Sequence, residues 1–307
     1  MVKIKYIFPA LCLAACLYGC DKVDPTGVLI GKSSVDDRVK QSQVYWDGEK
    51  KNLILFTEED EYSFLVAADT HTTTNLRRMK ELFADQVDPD QNNLFCTIIG
   101  DIAETQPEFY HKVDSLHDEF ARQYSGKFVF YPTVGNHDVT RNGWALYNMI
   151  FGASSYIALV GVGYDDDTYD MFIFLDSANG TLGKRQLEQE LPEYMEFRRN
   201  GIPELELKRP RHCFVLTHQN FFRPRNTSFA SNFPREEQYY LLNTFSKYDI
   251  QTVFCGHIHK YDDRIFGGVR YTTLDALSER NSPEKGMVIK VTCKKDGTIQ
   301  QDIKYYK

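Results

Sequence analysis

The stretch TVGNHD at residues 133–138 follows an apolar run, KFVFYP, and places three polar side chains next to one another. Gly135 and Asn136 tolerate positive φ, so a plain turn after a strand is one interpretation. His137 and Asp138 favour another, because imidazoles and carboxylates bind metal ions and transfer protons. The other strand ends of the sequence decide between the two interpretations.

Strand-like apolar runs alternate with amphipathic helical stretches from Tyr62 onward, which is typical of an α/β fold. The predicted strands cover 62–68, 93–100, 127–134, 171–177, 212–218 and 251–257, and the predicted helices cover 74–86, 107–124, 184–199 and 236–247. The spacing of Phe109, Val113, Leu116, Phe120 and Tyr124 predicts the core-facing side of the helix at 107–124. Two alternating runs around Asp296 and Gly297 predict a hairpin near the C-terminus.

Most of the predicted strands are followed directly by side chains that can bind a metal ion. These side chains lie in DTH (69–71), GD (100–101), GNHD (135–138), TH (217–218) and GHIH (256–259). Ligand sites in α/β sheets form outside the carboxyl ends of the strands, so we expect these residues to meet in one crevice. Their carboxylate, imidazole and amide groups suit Mn, Fe or Zn, and they are too many for one ion.

The five motifs, DxH, GDxx(D/E), GNHD, an isolated His and GHxH, stand in the order found in the calcineurin-like metallophosphoesterases, and the chain resembles that family from Asp69 to His259. The resemblance implies an α/β fold class: a four-layer α/β/β/α sandwich of two mixed sheets flanked by helices. It also implies a hydrolase that cleaves phosphoester bonds with two divalent metal ions, namely Mn, Fe or Zn.

The resemblance implies two sets of metal ligands that share Asp101. One set is Asp69, His71, Asp101 and His259, and the other is Asp101, Asn136, His218 and His257. A shared carboxylate allows two ions to lie close enough to act on both oxygens of an in-line displacement.

His137 is expected to be the general acid, with Asp138 as the carboxylate that orients it, and Glu104 is expected near the ions without binding them. Several side chains near these motifs are candidates for substrate contacts, although a solvated loop or simple packing also explains them. They are Arg141, Arg223, Arg225, Trp144, Tyr147, Phe221 and Phe222.

Residues 1–19 are predicted to be a secretory signal peptide of the lipoprotein type. Cys20 is the expected acylated residue, because polar residues follow it, and Cys16 is the second choice. Residues 20–61 are expected to form a tether and one irregular strand, and residues 62–307 the metallophosphoesterase domain. We therefore expect an exported bacterial lipoprotein in the cell envelope, attached to a membrane.

The net charge of −7 and the lack of a basic stripe argue against specific nucleic-acid binding, since neutralising phosphates needs clustered Lys and Arg. The four cysteines after Cys20 lie in or beside apolar runs and are expected to be free, buried thiols, with one disulfide left open. They are Cys96, Cys213, Cys255 and Cys293.

The expected partner is a small-molecule or phosphorylated substrate, as a monoester or a diester. Two other functions stay open. One is a lipid-anchored binding or scaffold protein that keeps the fold and the metal site without turnover. The other is a two-metal hydrolase that acts on a non-phosphate bond, because a fold does not fix a substrate. The sequence leaves the oligomeric state undefined. Substrate specificity is expected to reside in loops at 140–170 and 219–235.

Overall fold

The computed structural model describes residues 33–41, 54–73, 75–104, 106–141, 143–163, 168–222 and 233–307. The predicted signal peptide, both candidate acylation sites, Arg223 and Arg225 lie outside the described residues.

The strands of the described residues form a seven-stranded and a four-stranded sheet. They are β1 Ile54–Thr57, β2 Glu61–Ala67, β3 Asn93–Ile98, β4 Tyr156–Val162, β5 Tyr169–Leu175, β6 Cys213–Thr217, β7 Thr252–Cys255, β8 Asp262–Phe266, β9 Val269–Thr273, β10 Gly286–Lys294 and β11 Ile299–Tyr306. The strand orders are β1-β4-β5-β6-β7-β9-β8 and β11-β10-β2-β3. Both sheets are mixed: β5, β6, β7 and β9 are parallel neighbours, as are β2 and β3, whereas β10 is antiparallel to β2 and β11.

The helices flank these sheets. They are α1 Val35–Gln41, α2 Arg77–Val87, α3 Pro107–Gln123, α4 Gly143–Phe151, α5 Gly183–Arg185, α6 Leu191–Asn200 and α7 Arg235–Lys247. A π-helical turn, Gln186–Glu190, joins α5 to α6, and a 3-10 turn covers Pro203–Leu205.

The alternation of side chains along β2 explains why the two sheets stack. Phe64 faces the other sheet, where its ring lies 5.0 Å from that of Phe172, and it also stacks on Phe95 of β3 at 5.0 Å. Leu65 and Ala67 point the other way, into the core beneath the helices, because successive strand residues face opposite sides. Strand β2 is therefore buried on both faces.

Helices cover the outer face of each sheet. Leu82 of α2 and Phe120 of α3 are buried against the four-stranded sheet, and Met195 of α6 and Phe245 of α7 against the seven-stranded sheet. The predicted four-layer sandwich is confirmed. The C-terminal hairpin is confirmed as well, since β10 and β11 pair across the turn at Gly297.

Two expectations about the middle of the chain are wrong. The run 127–134 is an extended segment joined to β3 by isolated bridges at Phe130 and Thr133, since Pro132 has no N–H to continue a ladder. The range 140–170, expected to be a loop, contains α4 and β4.

Helix α1 and strand β1 lie N-terminal to Tyr62, where a tether and one strand are expected. β1 pairs with β4. The Arg38 guanidinium of α1 forms a buried ion pair with Asp176 at 2.8 Å, and both side chains are fully buried. The folded body thus includes residues before Tyr62, while the function of the preceding tether stays a prediction.

All four cysteines of the described residues are free and buried, as expected. No helix in this part of the chain combines the length and apolar character that a membrane crossing needs.

Candidate metal centre

The predicted ligands come together beyond the carboxyl ends of β2, β3, β6 and β7. We call this group the carboxyl-edge cluster; it comprises Asp69, His71, Asp101, Glu104, Asn136, His137, His218, His257 and His259. Its members come from four strand ends and from the TVGNHD segment, so only the tertiary fold makes them neighbours.

The backbone of this cluster is held in the left-handed region at positions that are not glycine. The φ values are 54° at Asp69, 41° at His71, 51° at Asp101, 73° at His257 and 49° at His259. Such conformations are unfavourable for residues with a Cβ and persist only where the surrounding structure enforces them. Each strand thus turns sharply at its end and aims its side chains into the crevice.

The glycine of TVGNHD has a steric role here. A Cβ on Gly135 would overlap the amide nitrogen and the carboxylate of Asp101. Only glycine lets the loop approach that closely, so that the His137 N–H donates to Asp101 Oδ1 at 2.8 Å. The turn interpretation of this stretch is therefore correct, and the turn serves the site.

The first predicted ligand set converges. His71 Nε2 lies 3.0 Å from His259 Nε2 and 3.6 Å from Asp101 Oδ2, and His259 Nε2 lies 3.3 Å from Asp69 Oδ1. The N–H of His257 donates to both Asp69 oxygens, at 3.1 and 2.9 Å, which fixes that carboxylate.

The second predicted set converges beside the first and shares Asp101 with it. His218 Nε2 lies 3.3 Å from Asp101 Oδ2 and 3.0 Å from Asn136 Oδ1, and His257 joins the same group. The Nδ1–H of His218 donates to the Ile99 carbonyl at 2.9 Å, so in the neutral ring Nε2 presents its lone pair to the cluster.

This donor set fits divalent cations. Ligand atoms about 2.1 Å from one ion lie roughly 3.0–3.5 Å apart at octahedral or tetrahedral angles. Most of the separations above fall in or near that range. Two ring nitrogens 3.0 Å apart with carboxylates beside them also form the mixed N/O environment that Zn, Mn and Fe favour.

The electrostatics of the cluster couple the binding of a cation to the release of a proton. Burial disfavours the charged form of His218, but the Asp101 carboxylate outweighs it and raises the pKa of His218 to about 10. Burial likewise opposes ionisation of Asp101, yet His218 keeps the pKa of Asp101 well below its usual range. Burial and the charge of His218 lower the pKa of His257 to about 4. A metal ion that binds here must displace the proton of His218.

The expected partnership of Asp138 with His137 is corrected by the structure. The Asp138 carboxylate is buried and accepts from the N–H groups of Ile102 and Gly135 and from the Tyr110 hydroxyl, so it braces the loops that carry the site. The carboxylate that faces the His137 ring is Glu104, whose Oε2 lies 3.3 Å from Nδ1. Adjacent residues in this tight loop point in different directions, which the sequence pattern does not reveal.

Glu104 contacts both a predicted metal ligand, His71, and the expected acid, His137. Its Oε1 lies 3.1 Å from Nδ1 of His71, while its Oε2 faces His137. The His137 side chain is 40% exposed, so it stands at the mouth of the crevice, whereas His218 is fully buried. This is the position that a residue donating a proton to a leaving group needs.

The sequence model of the calcineurin-like phosphoesterases matches residues 62–261, about two thirds of the chain. The chain belongs to the calcineurin-like phosphoesterase family. It is accordingly a phosphoester hydrolase, and its clustered potential metal ligands suit a family whose members are typically binuclear metal enzymes.

Several solved structures are similar to this chain at low sequence identity. A purple acid phosphatase from yellow lupin (Lupinus luteus) seeds is 13% identical with a TM-score of 0.50, over 80% of this chain and 53% of its own. A putative 5'-nucleotidase from Staphylococcus aureus is 14% identical with a TM-score of 0.49, over 80% and 54%. GAP50, the anchor in the inner membrane complex of Plasmodium, is 13% identical with a TM-score of 0.49, over 81% and 90%. This phosphoesterase thus spans about half the length of the first two, and no curated protein sequence matches it.

The aromatic candidates for substrate contacts pack inside this phosphoesterase. Trp144 is buried and donates its Nε1–H to Gln41 of α1, Tyr147 donates to the Pro132 carbonyl, and Phe221 is buried in the core beneath α7. Phe222 packs against Tyr271 at 5.1 Å. Arg141 is exposed.

Sequence reasoning missed one cation at the mouth. Arg280 lies on the segment between β9 and β10, with Nη1 3.6 Å from Glu104 Oε1 and a side chain that is 74% exposed. No motif marks this residue, and only the fold of the C-terminal segment brings it to the site.

A second group of ligand-type side chains lies at the amino ends of β2, β5 and β6. We call it the amino-edge cluster; it comprises Asp170, His212, Cys293, Tyr62 and Arg211. Arg211 donates to both Asp170 oxygens, at 3.0 and 2.7 Å, and Tyr62 donates to Oδ2 at 2.7 Å. Burial raises the pKa of the Cys293 thiol to about 12, so it stays protonated. A cation already balances this carboxylate, and the group fits a metal ion poorly.

Proposed function

We propose that this phosphoesterase hydrolyses its substrate with two divalent metal ions held by the carboxyl-edge cluster. The observation that carries the proposal is the position of Asp101, whose Oδ2 lies 3.6 Å from His71 and 3.3 Å from His218. A carboxylate between two ligand groups is what a pair of neighbouring cations requires.

The two ligand sets divide the cluster. Asp69, His71, Asp101 and His259 would hold one ion, and Asp101, Asn136, His218 and His257 the other. When bound, Mn²⁺, Fe²⁺ or Zn²⁺ ions supply an activated water as nucleophile near neutral pH and offset the charge of the phosphoryl oxygens.

The chain's own residues complete the reaction. His137, at the mouth of the crevice, donates a proton to the departing oxygen. Glu104 faces Nδ1 of that ring and keeps its other nitrogen directed toward the leaving group. Because Glu104 also contacts His71, it holds His137 in a fixed position relative to the first ligand set.

The substrate is a small phosphorylated molecule, as a monoester or a diester, and specific nucleic-acid binding is not expected from a chain of net charge −7. The rival is a scaffold protein that binds metals without turnover, and it makes a different prediction in the assay below.

The test is hydrolysis of nitrophenyl phosphate and bis-nitrophenyl phosphate by protein loaded in turn with Mn²⁺, Fe²⁺ or Zn²⁺, with metal content measured for each sample. Asn136→Ala and His218→Ala should each lower kcat/KM by at least ~100-fold, because each removes a ligand. His111→Ala is the matched control, since His111 lies exposed on α3, and it should keep full activity. Equally negligible hydrolysis by the metal-replete wild type and both ligand variants would refute the proposed function.

We also propose that the chain is an exported lipoprotein of the bacterial cell envelope, attached to the membrane through Cys20. The support is the cationic and apolar start of the sequence followed by LYGC. Incorporation of labelled fatty acid in the producing bacterium should be lost in Cys20→Ala and kept in Cys16→Ala. The reverse result would assign the anchor to Cys16, and labelling of both variants or neither would refute a single lipidation site at these positions.

A further inference from the structure

Two buried polar residues, Asp176 and Ser177, follow strand β5 at the carboxyl edge of the seven-stranded sheet. Neither is exposed to solvent, and neither belongs to the predicted ligand sets. Strand β5 is the parallel neighbour of β6, whose end leads into the predicted ligand His218. Buried polar groups make their hydrogen bonds within the protein, so the partners of these two residues indicate what they do.

The Ser177 hydroxyl binds both chain neighbours of His218. The Thr217 hydroxyl donates to Ser177 Oγ at 2.7 Å, and the N–H of Gln219 donates to the same oxygen at 2.9 Å. The pairing of β5 with β6 ends at Leu175 and Thr217, so beyond that point this hydroxyl holds the two chain segments together. One side-chain oxygen thereby fixes the residues immediately before and after a predicted metal ligand.

Two further contacts complete the fixation of His218. The N–H of Gly256 donates to the His218 carbonyl at 3.0 Å, and the Nδ1–H of His218 donates to the Ile99 carbonyl at 2.9 Å. The backbone of His218 is thus held from the β7 side by Gly256 and from the β5 side by Ser177. A metal ligand has to lie within about 0.5 Å of its productive position, so the Ser177 hydroxyl affects how well Nε2 can bind an ion.

The position of Ser177 is fixed in turn by the N-terminal helix α1. Arg38 of α1 donates from Nε and Nη2 to the two oxygens of Asp176, each at 2.8 Å, and both side chains are fully buried. The carboxamide of Gln186 accepts from the N–H of Asp176 at 2.9 Å and donates to its carbonyl at 2.7 Å. A bidentate ion pair adds geometric specificity, so α1 holds the residue next to Ser177 in one geometry.

Helix α1 also contacts the element that follows the TVGNHD stretch. The Gln41 side chain accepts from Nε1–H of Trp144 at 2.9 Å. Trp144 lies on α4, and Tyr147 of the same helix donates to the carbonyl of Pro132, one residue before that stretch, at 3.2 Å. Helix α1 therefore supports the segments of two members of one predicted ligand set, Asn136 and His218. It lies before residue 62, outside the residues that carry the family's sequence pattern.

We propose that Ser177 and Arg38 are positioning residues of the metal centre. Arg38 fixes Asp176, Ser177 fixes the two neighbours of His218, and together they raise the affinity for the ion that the second ligand set would hold. The inference rests on the proposed function, since it concerns ion binding by the same cluster, and it gives helix α1 a part in metal binding.

The test is a calorimetric titration of the metal-free full chain with Mn²⁺. Wild type should bind two ions. Ser177→Ala should weaken one of the two binding steps at least ~10-fold and leave the other within about twofold, because His218 belongs to one ligand set only. Hydrolysis of nitrophenyl phosphate by the variant should fall at low Mn²⁺ and recover when the Mn²⁺ concentration is raised ~10-fold or more.

Electron paramagnetic resonance gives a second readout that does not depend on turnover. With two equivalents of Mn²⁺, wild type should show the spectrum of a coupled pair of ions, whereas Ser177→Ala should show mainly single ions. Ser63→Ala is the matched control, because the buried Ser63 hydroxyl bonds to that of Thr292 at 2.9 Å between β2 and β10, near the amino end of β2. It removes the same kind of bond and should keep both ion affinities within about twofold.

A double variant tests whether Arg38 acts through Ser177. Arg38→Met should weaken the same ion, but in the Ser177→Ala background it should change that affinity less than about twofold further, since residues that act through one contact are not additive. If Arg38→Met does not fold, Thr217→Val serves as the second variant. It removes one of the two bonds to Ser177 and should show a smaller loss at the same ion.

The outcomes separate this inference from the proposed function. If wild type binds two ions and hydrolyses the ester, but Ser177→Ala binds both ions as wild type does or weakens both equally, only the inference is overturned. An equal loss in Ser63→Ala would overturn it as well. Multiplicative effects of Arg38→Met and Ser177→Ala would overturn the role of Arg38. If wild type binds fewer than two ions or hydrolyses nothing when loaded with metal, the two-metal function itself fails.

Discussion

The carboxyl-edge and amino-edge clusters both contain buried Asp and His side chains, at opposite ends of β2 and β6, and they differ in how their charge is balanced. At the amino edge, Arg211 and Tyr62 donate to both oxygens of Asp170. At the carboxyl edge, Asp69 and Asp101 face imidazoles. Because a buried carboxylate needs a cation or donors, the first cluster is complete within the chain, whereas we propose that metal ions complete the second.

Backbone geometry also distinguishes the two clusters. The carboxyl-edge residues Asp69, Asp101 and His257 have positive φ, whereas no residue of the amino-edge cluster is among the described positive-φ positions. Backbone strain thus accompanies the residues that aim potential ligands, and the amino-edge cluster has none. The difference suggests experiments in which one cluster loses activity and the other loses stability.

The largest effect is expected for Asp101→Asn, which removes the carboxylate common to both ligand sets. We expect kcat/KM for nitrophenyl phosphate to fall at least ~1000-fold, or about 4 kcal/mol, together with the bound metal content. Kinetics and metal analysis of the purified variant give the result. Asp118→Asn, a change of an exposed carboxylate on α3, is the control. Retention of both metals and of activity within tenfold would refute a bridging role.

Asp170→Asn should act on stability instead. It leaves Arg211, whose side chain is 15% exposed, without its anionic partner, and we expect about 3 kcal/mol less unfolding free energy in urea. Metal content and kcat should stay within about twofold of wild type. The control is Asp263→Asn on β8, whose pair with Arg270 is much more exposed and should contribute less than about 1 kcal/mol. Loss of metal from Asp170→Asn would show that the two clusters are not independent.

Glu104→Gln tests which carboxylate orients His137. We expect kcat to fall about 30-fold, roughly 2 kcal/mol, with a shifted alkaline limb in the pH profile, where the general acid loses its proton, and with both metals retained. Asp138→Asn should mainly lower the unfolding temperature, because Asp138 accepts from the Gly135 N–H and the Tyr110 hydroxyl. If Asp138→Asn shifted the pH profile and Glu104→Gln did not, the assignment of Glu104 would be wrong.

The smallest effect concerns pH and the amino-edge cluster. Burial opposes ionisation of Asp170, but hydrogen bonds from His212 and Arg211 hold its pKa below the usual value. A depressed carboxyl pKa contributes stability above the unfolded pKa, near 3.9, and this stability is lost as pH falls through the folded pKa. The stability difference between wild type and Asp170→Asn should therefore shrink by about 1 kcal/mol between about pH 5 and pH 3. A difference that grows on acidification would contradict this sign.

Much of the architecture was predictable because it depends on the periodicity of apolar residues along the sequence. The apolar runs that became β2, β3, β5, β6 and β7 were read from the sequence, as was the hairpin at Gly297. Helix α3 shows the limit of this reading: its stripe buries Tyr110 in place of the expected Phe109. Which of two adjacent helix residues is buried depends on packing against neighbouring helices, and the spacing of apolar residues does not encode that packing.

The candidate site was likewise predictable only in part. His71, His218 and His259 were expected as ligands because each follows an apolar run, and the structure places them within ligand distance of Asp69 or Asp101. Their metal-binding roles stay predictions. Glu104 takes the task expected of Asp138, because the adjacent residues His137 and Asp138 point in different directions that only the folded backbone fixes.

The sequence by itself determined the donor types and the strand ends that carry them, because both are local properties of residues such as Gly135, Asn136 and His137. The tertiary structure alone decided which carboxylate faces His137, why Asp170 needs no metal, and that Arg280 reaches the mouth of the site. The reason is physical: hydrogen bonds and charge balance depend on distances of a few ångströms between residues that lie far apart in the chain, and only packing sets those distances.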